Sequence, residues 1–207
     1  TFGRAAARAE AAWASTLGAM TPFSLPGEAD GTGIGTATAT LGAGTAARAA
    51  AIVGAFAARV TGHTSVTFGL RAAAVAEAAA AVAPLAHGQT VVTFDVDAKQ
   101  PADAALTRLA AAVDDAVARG PIARELYLRQ PALAAIARNA AGPRLDVVLA
   151  LGDAPSDDPD GAQAVVAVDA AGERATLRYD RARIGDTAAA ALMRQLGNFA
   201  ASLPTAA

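Results

Sequence analysis

The sequence contains no cysteine, only two histidines and a single tryptophan among its 207 residues. The absence of cysteine excludes disulfides, thiolate metal ligands and cysteine nucleophiles. His63 and His87 are the only possible imidazole bases, and their spacing does not suit a pair of metal ligands. The formal net charge is −2 and no basic run is present, so we expect neither a nucleic-acid partner nor an anionic membrane surface.

Long apolar runs are also missing. The longest, residues 72–86, is mostly alanine and contains Glu77 and Pro84, so it is too short and too weakly apolar to span a bilayer. The N-terminus carries no charged-then-apolar targeting signal, and we therefore expect a cytoplasmic protein. The sequence opens inside a helical pattern, which predicts a piece of a longer polypeptide. Its length suits one domain or one lobe of a larger domain.

One helix and one strand, joined by a short turn, are predicted to form the centre of the core. Ile52, Phe56 and Val60 recur every fourth residue and so share one face of a helix. Gly62 suits the left-handed position just after a helix end. The alternating, β-branched segment Val66–Leu70 then predicts a strand.

The remaining pattern alternates between the two element types. Thr45 is the predicted N-cap of the central helix. Further helices are predicted at about 4–17, from Asp103 and at about 186–202, with ambiguous helical stretches at 72–84 and 122–139. Further strands are predicted at 34–41, 90–97, 145–151, 164–169 and 173–180. The sum predicts a single α+β unit over residues 1–207, a two-layer sandwich with helices packed on one face of a mixed sheet.

Two loops superficially resemble ligand sites. The segment DGTGIGT, Asp30–Thr36, precedes its strand instead of joining a strand to a helix, so it favours a connector over a phosphate loop. The aspartates of residues 153–160 lack the alternate-oxygen spacing of a calcium loop and predict a solvated hairpin loop.

The remaining candidates also favour an ordinary structural role. Asp95 and Asp97 alternate with apolar residues, as on the wetted face of a strand. His63 and His87 each lie near a glycine with no serine elbow or partner carboxylate at helical spacing, which favours surface turns over catalysis. We therefore predict no catalytic, cofactor-binding or metal-ligating residue in this chain.

The central segment also resembles a known family. Ala55–Gly69 is similar to the helix, hydrophobic–Thr-Gly turn and strand-to-glycine passage of condensation domains of nonribosomal peptide synthetases. The helix with Trp13 followed by PFSLPG resembles the entry into the second lobe of those domains. Similar passages follow in the family's order at 36–41, at 90–97 with the helix from Asp103, at 145–151, in the late hairpin and in the last helix. The chain thus resembles a divergent C-terminal lobe of a nonribosomal peptide synthetase condensation domain, which belongs to the chloramphenicol-acetyltransferase-like superfamily.

The resemblance carries functional implications. The catalytic two-histidine motif of the family belongs to the N-terminal lobe, so this chain is expected to be inactive alone and to be part of a larger acyltransferase used in peptide biosynthesis and secondary metabolism. The second lobe would form a wall of the tunnel in which an aminoacyl amine on one carrier protein attacks a thioester on another. Implied partners are the N-terminal lobe, peptidyl carrier domains and a downstream adenylation domain. No cofactor is bound directly; the substrates are tethered through phosphopantetheine on the carriers.

Two departures from the family pattern leave alternatives open. Arg71 follows the strand glycine sooner than the family's arginine does, and the family's Asn-Thr reads Gly88-Gln89-Thr90 here. The alternatives are a non-catalytic scaffold that docks carrier or adenylation domains, and a lobe of a related epimerisation or ester-forming acyltransferase.

Overall fold

The computed structural model describes residues 2–97, 99–126, 130, 133, 145–152, 154 and 161–203, and for residues 2–9 it describes the backbone only. The helices in these ranges are α1 Phe2–Gly18, α2 Ala46–Thr61, α3 Ala73–Ala80, α4 Ala102–Arg119 and α5 Asp186–Ala201. The strands are β1 Ile34–Thr40, β2 Ser65–Ala72, β3 Thr90–Asp95, β4 Val147–Leu151, β5 Ala164–Val168 and β6 Arg174–Asp180.

The strands form one mixed six-stranded sheet in the order β1-β6-β5-β4-β2-β3. β4 lies at its centre and pairs in parallel with both β2 and β5. The other neighbours pair antiparallel. Because central parallel strands are covered on both sides, four of the five residues of β4 are buried, as the continuous apolar run 145–151 predicted.

Helices α2, α4 and α5 cover one face of the sheet and enclose the main core. Phe68 on β2 stacks edge-on with Phe23 and with Phe94, at centroid distances of 4.8 and 5.5 Å. Helix α2 is buried on most of its circumference, and its alanines at 49–51 have no exposed surface. This α+β sandwich confirms the predicted fold class.

Helix α1 packs on the opposite face of the sheet, beside its β3 edge. Trp13 and Leu17 belong to a second buried cluster with Val91, whose side chain points away from Val92 and the main core. The guanidinium of Arg119 on α4 lies 4.9 Å from the Trp13 ring and donates to the hydroxyl of Thr16. Arg119 therefore ties α1 to the end of α4.

The predicted caps of α2 are confirmed. The hydroxyl of Thr45 accepts a hydrogen bond from the N–H of Arg48 at 3.2 Å, and Gly62 has φ +72° in the left-handed region. The ambiguous stretch 72–84 contains α3. The predicted weak helix at 122–139 and the acidic loop at 153–160 fall largely outside the described residues.

Candidate functional site

The two histidines lie at opposite ends of the β2–β3 pair. His63 follows α2 and precedes the start of β2, whereas His87 precedes the start of β3, which runs antiparallel to β2. Six residue pairs separate these ends, which at about 3.3 Å per residue places the imidazoles roughly 20 Å apart. They cannot act on one reacting group.

The two histidines differ in their exposure and surroundings. His63 is exposed in its turn, as predicted. His87 is half-buried beside a short backbone bridge in which its N–H donates to Ile122 O at 3.0 Å and Arg124 N–H donates to Leu85 O at 2.9 Å. Desolvation by burial, followed by the charge of Arg124, holds the pKa of His87 below its ordinary value of 6.5. His87 is therefore neutral at neutral pH.

A wide polar groove of about 600 Å³ opens where β2 begins and β3 ends. Its walls include Thr64, Ser65, Asp95, Asp97, Lys99 and Arg108. Arg108 is held in place because its guanidinium donates to Asp95 O at 2.5 Å and to Gln100 Oε1 at 3.3 Å. Asp95 and Asp97 are exposed, as the alternation predicted, and the groove mixes both signs of charge.

Residues 19–33, hereafter the connector, cross one end of the sheet. They must do so because α1 packs near β3, whereas β1 lies at the other edge of the sheet. The starts of β2, β4 and β5 and the end of β6 all lie at this end. The connector contacts residues of each of these four places.

Buried amide and hydroxyl groups hold the connector at its middle. The side chain of Gln163 accepts from Leu25 N–H at 2.7 Å and donates to Leu25 O at 2.9 Å, replacing a strand partner. Thr21 exchanges hydrogen bonds with Thr67, whose hydroxyl also bonds that of Thr93 at 2.9 Å.

Charged groups hold the same segment further along the sheet. Asp146 accepts from the hydroxyl of Ser24 at 2.6 Å and pairs with Arg183 at 2.7 Å. The Asp30–Thr36 segment leads into β1 and is not a strand-to-helix phosphate loop, as predicted. It is anchored to α5, because Asp30 Oδ2 accepts from Asp186 N–H at 2.6 Å and so caps the N-terminus of that helix.

Asp186 is the centre of a small polar cluster at that cap. Its Oδ1 accepts from the Tyr179 hydroxyl at 2.7 Å and from Arg181 Nε at 2.8 Å. These hydrogen bonds, from Arg181 first and Tyr179 second, lower the pKa of Asp186. Burial and the hydrogen bond to Asp186 raise the pKa of Tyr179 to about 12. This cluster fixes the connector against α5.

The sequence interpretation missed these anchors. Gln163 reads as a loop residue before a strand, and nothing local indicates that its amide binds Leu25, 138 positions earlier. The available signal was a polar residue next to the buried strand β5. Among the described residues, no group of three or more His, Asp or Glu side chains is placed to hold a metal ion, and no helix is both long and apolar enough to cross a membrane.

Known proteins resemble this chain in fold and not in sequence. No protein-family model and no curated protein sequence matches this chain. Among solved structures, the starter condensation domain of rhizomide synthetase RzmA is 12% identical with a TM-score of 0.61, and the match covers 97% of this chain and 50% of that one. For the first condensation domain of the calcium-dependent antibiotic synthetase, the identity is 15%, the TM-score 0.61, and the coverage 95% and 50%.

A third similar structure is the SgcC5 protein of Streptomyces globisporus, at 13% identity and a TM-score of 0.64, covering 95% of this chain and 55% of that one. The chain thus spans about half the length of the structures it matches. Nearly all of its residues align, and the aligned share of each of the three structures is about half. We conclude that this chain has the fold of a single lobe of a condensation domain.

Proposed function

We propose that residues 1–207 form the second, C-terminal lobe of a condensation domain in a nonribosomal peptide synthetase. The observation that carries the proposal is a six-stranded α+β fold that aligns with about half of each of two condensation domains. The segments that resemble the second lobe in sequence supply the assignment to that half.

In this role the chain contributes shape and binding instead of a proton-transferring group. His63 and His87 lie at opposite ends of β2–β3, so they cannot act together on one reacting group. Holding a carrier-bound amine against a carrier-bound thioester converts a bimolecular step into one within a single complex. The effective molarity gained in this way lowers the barrier by several kcal/mol without a side-chain base in this lobe.

The partners follow from the same assignment. The first lobe would supply the two-histidine motif, the carrier domains would present phosphopantetheine thioesters, and an adenylation domain would follow in the assembly. The role places the protein in the cytoplasm, where carrier proteins are loaded.

Amide formation between two loaded carrier domains tests the proposal. We expect no product above background with this chain alone, and product when it is joined to the lobe encoded immediately upstream. In the joined protein, His63→Ala and His87→Ala should each retain activity close to that of the unchanged protein. Product from the isolated chain, or its loss in either histidine variant, would refute the assignment.

The alternative, a docking scaffold, rests on the position of Arg71 and on Gly88-Gln89 in place of the family's pattern. It predicts that the joined protein binds carrier domains without forming product. Measuring carrier binding and amide formation on the same preparation separates the two functions. An intact two-histidine motif upstream favours the enzyme, whereas a degenerate one favours the scaffold.

A further inference from the structure

Strand β1 is an edge strand whose outward hydrogen-bonding groups can be identified. Within the described residues, only β6 pairs with it. Leu41 N–H donates to Glu173 O and Arg181 N–H donates to Gly33 O, so the odd-numbered residues of this region face β6. Because the bonding alternates along an antiparallel pair, the even-numbered residues direct N–H and C=O away from the sheet. These residues are Ile34, Thr36, Thr38 and Thr40.

This edge lacks the features that usually prevent strand pairing. β1 has the sequence IGTATAT, with no charged residue and no proline, and its register with β6 is continuous, without a bulge. The four outward-bonding residues are all exposed, and Ile34 keeps 43% of its surface accessible. Ile34 is one of only two large apolar side chains exposed in the described part of the chain.

We propose that β1 pairs antiparallel with β1 of a second copy of this chain, about a two-fold axis at Ala37. This register places Ile34 opposite the partner's Thr40 and Thr36 opposite the partner's Thr38. Each outward N–H then meets a C=O of the other copy, which is how a strand adds to a sheet edge. Threonines directly opposite each other form a favourable cross-strand pair.

The second copy is the occupant because the edge is complementary to itself in hydrogen bonding, and because pairing two copies of it sets no like charges side by side. On β6, Asp180 lies beside Ile34 and Arg174 lies beside Thr40. In the proposed dimer, a row of neighbouring residues runs from Asp180 through Ile34 and the partner's Thr40 to the partner's Arg174. Each such row therefore has a carboxylate at one end and a guanidinium at the other. No like charges are brought together in these rows.

The face of β1 that is turned towards α5 also leaves room for a second copy of the chain. Gly35, Ala37 and Ala39 point towards α5 and carry at most a methyl group. Where α5 comes close to the edge it carries Gly197, and a Cβ at this residue would lie 3.6 Å from Thr40 O. No bulky side chain of β1 therefore stands at the two-fold axis.

The oligomeric state of the full chain tests this pairing. We expect sedimentation or light scattering to show a monomer–dimer equilibrium that shifts with protein concentration. Ala37→Cys should form a disulfide-linked dimer under mild oxidation, because non-hydrogen-bonded residues opposite each other are about 4.5 Å apart at Cα. The chain has no other cysteine, so the cross-link reports this position alone. Ala182→Cys, in the exposed turn after β6, is the control and should not cross-link at the same rate.

Thr38→Pro removes an outward N–H without removing a hydrogen bond to β6, and edge strands tolerate proline in that position. It should weaken dimerisation roughly tenfold or more while leaving the circular dichroism spectrum unchanged. Thr38→Val keeps the N–H and should keep the dimer. A chain that stays monomeric at all concentrations, or a dimer that persists in Thr38→Pro without the residue-37 cross-link, would overturn the proposal. No carrier domain enters this test, so its result is independent of the proposed function.

Discussion

Gly54 of α2 lies so close to the ring of Phe94 on β3 that a Cβ at residue 54 would overlap the Cδ2 and Cγ atoms of the ring. The missing side chain is what allows α2 to sit down on the sheet at that point. The glycine has ordinary helical geometry, so the requirement is one of space and not of backbone conformation.

Gly54→Ala should therefore destabilise the protein although alanine is the better helix former. Alanine in a helix interior gains about 1 kcal/mol over glycine, but overpacking costs about 1–3 kcal/mol, or more where a ring cannot move. Phe94 is fully buried and stacked on Phe68, so it has little room. Denaturant unfolding measures the difference. Gly197→Ala on α5 is the matched control: its Cβ would be 3.6 Å from the nearest atom, and we expect a gain of about 0.5–1 kcal/mol.

Thr90→Val should stabilise the protein. The Thr90 hydroxyl is fully buried and has no hydrogen-bond partner among the residues that the structure describes, so the replacement removes an uncompensated polar group without changing the volume much. The gain should be about 1–2 kcal/mol in unfolding free energy. Thr67→Val is the contrasting change, because Thr67 bonds both Thr21 N–H and Thr93. It should lose a similar amount; an equal effect of the two variants would contradict the argument.

Alkaline pH should destabilise the protein through Tyr179. Its folded pKa of about 12 lies above the ordinary value of 10.0, so the unfolded chain loses the phenolic proton first. The contribution to stability is complete below pH 10 and is lost as the pH rises from 10 towards 12. Tyr179→Phe should remove this dependence, as measured by unfolding at several pH values. Phenolate absorbance of the folded protein should show one of the two tyrosines titrating late.

Mild acid should destabilise the protein through His87. Its folded pKa lies below the ordinary 6.5, so the unfolded chain binds a proton that the folded chain excludes. Stability is complete above pH 6.5 and falls as the pH drops from 6.5 towards the folded pKa. His87→Gln should flatten the unfolding free energy across this window.

Local features of the fold were predictable from the sequence because they depend on neighbouring residues. Thr45 accepts from a backbone N–H in the first turn of α2, and Gly62 takes the left-handed conformation directly after the last turn. The alternation along β6, with Leu177 and Tyr179 buried and Arg178 partly exposed, follows from the two-residue period of a strand. In both cases, the residues that determine the feature lie within a few positions of one another in the sequence.

The anchors of the connector were not predictable for the opposite reason. Gln163 and Leu25 are 138 residues apart, and Asp30 and Asp186 are 156 apart. Polar residues in such loops carry no pattern that names their partners. The two histidines show the same limit: the turn at His63 was predicted correctly, whereas the partial burial of His87 depends on the distant residues Ile122 and Arg124.

The pairing of β1 with β6 has a consequence for the order in which the molecule can assemble. Thr40, the last residue of β1, lies opposite Arg174, the first residue of β6, so during synthesis the ribosome must deliver most of the polypeptide before β1 acquires its neighbour. Until then, the uncharged, threonine-rich strand β1 has no strand to pair with, whereas β2 and β3 can already pair with each other. A nascent protein halted after β5 would expose both flanks of that segment, and chaperone capture is expected to concentrate there.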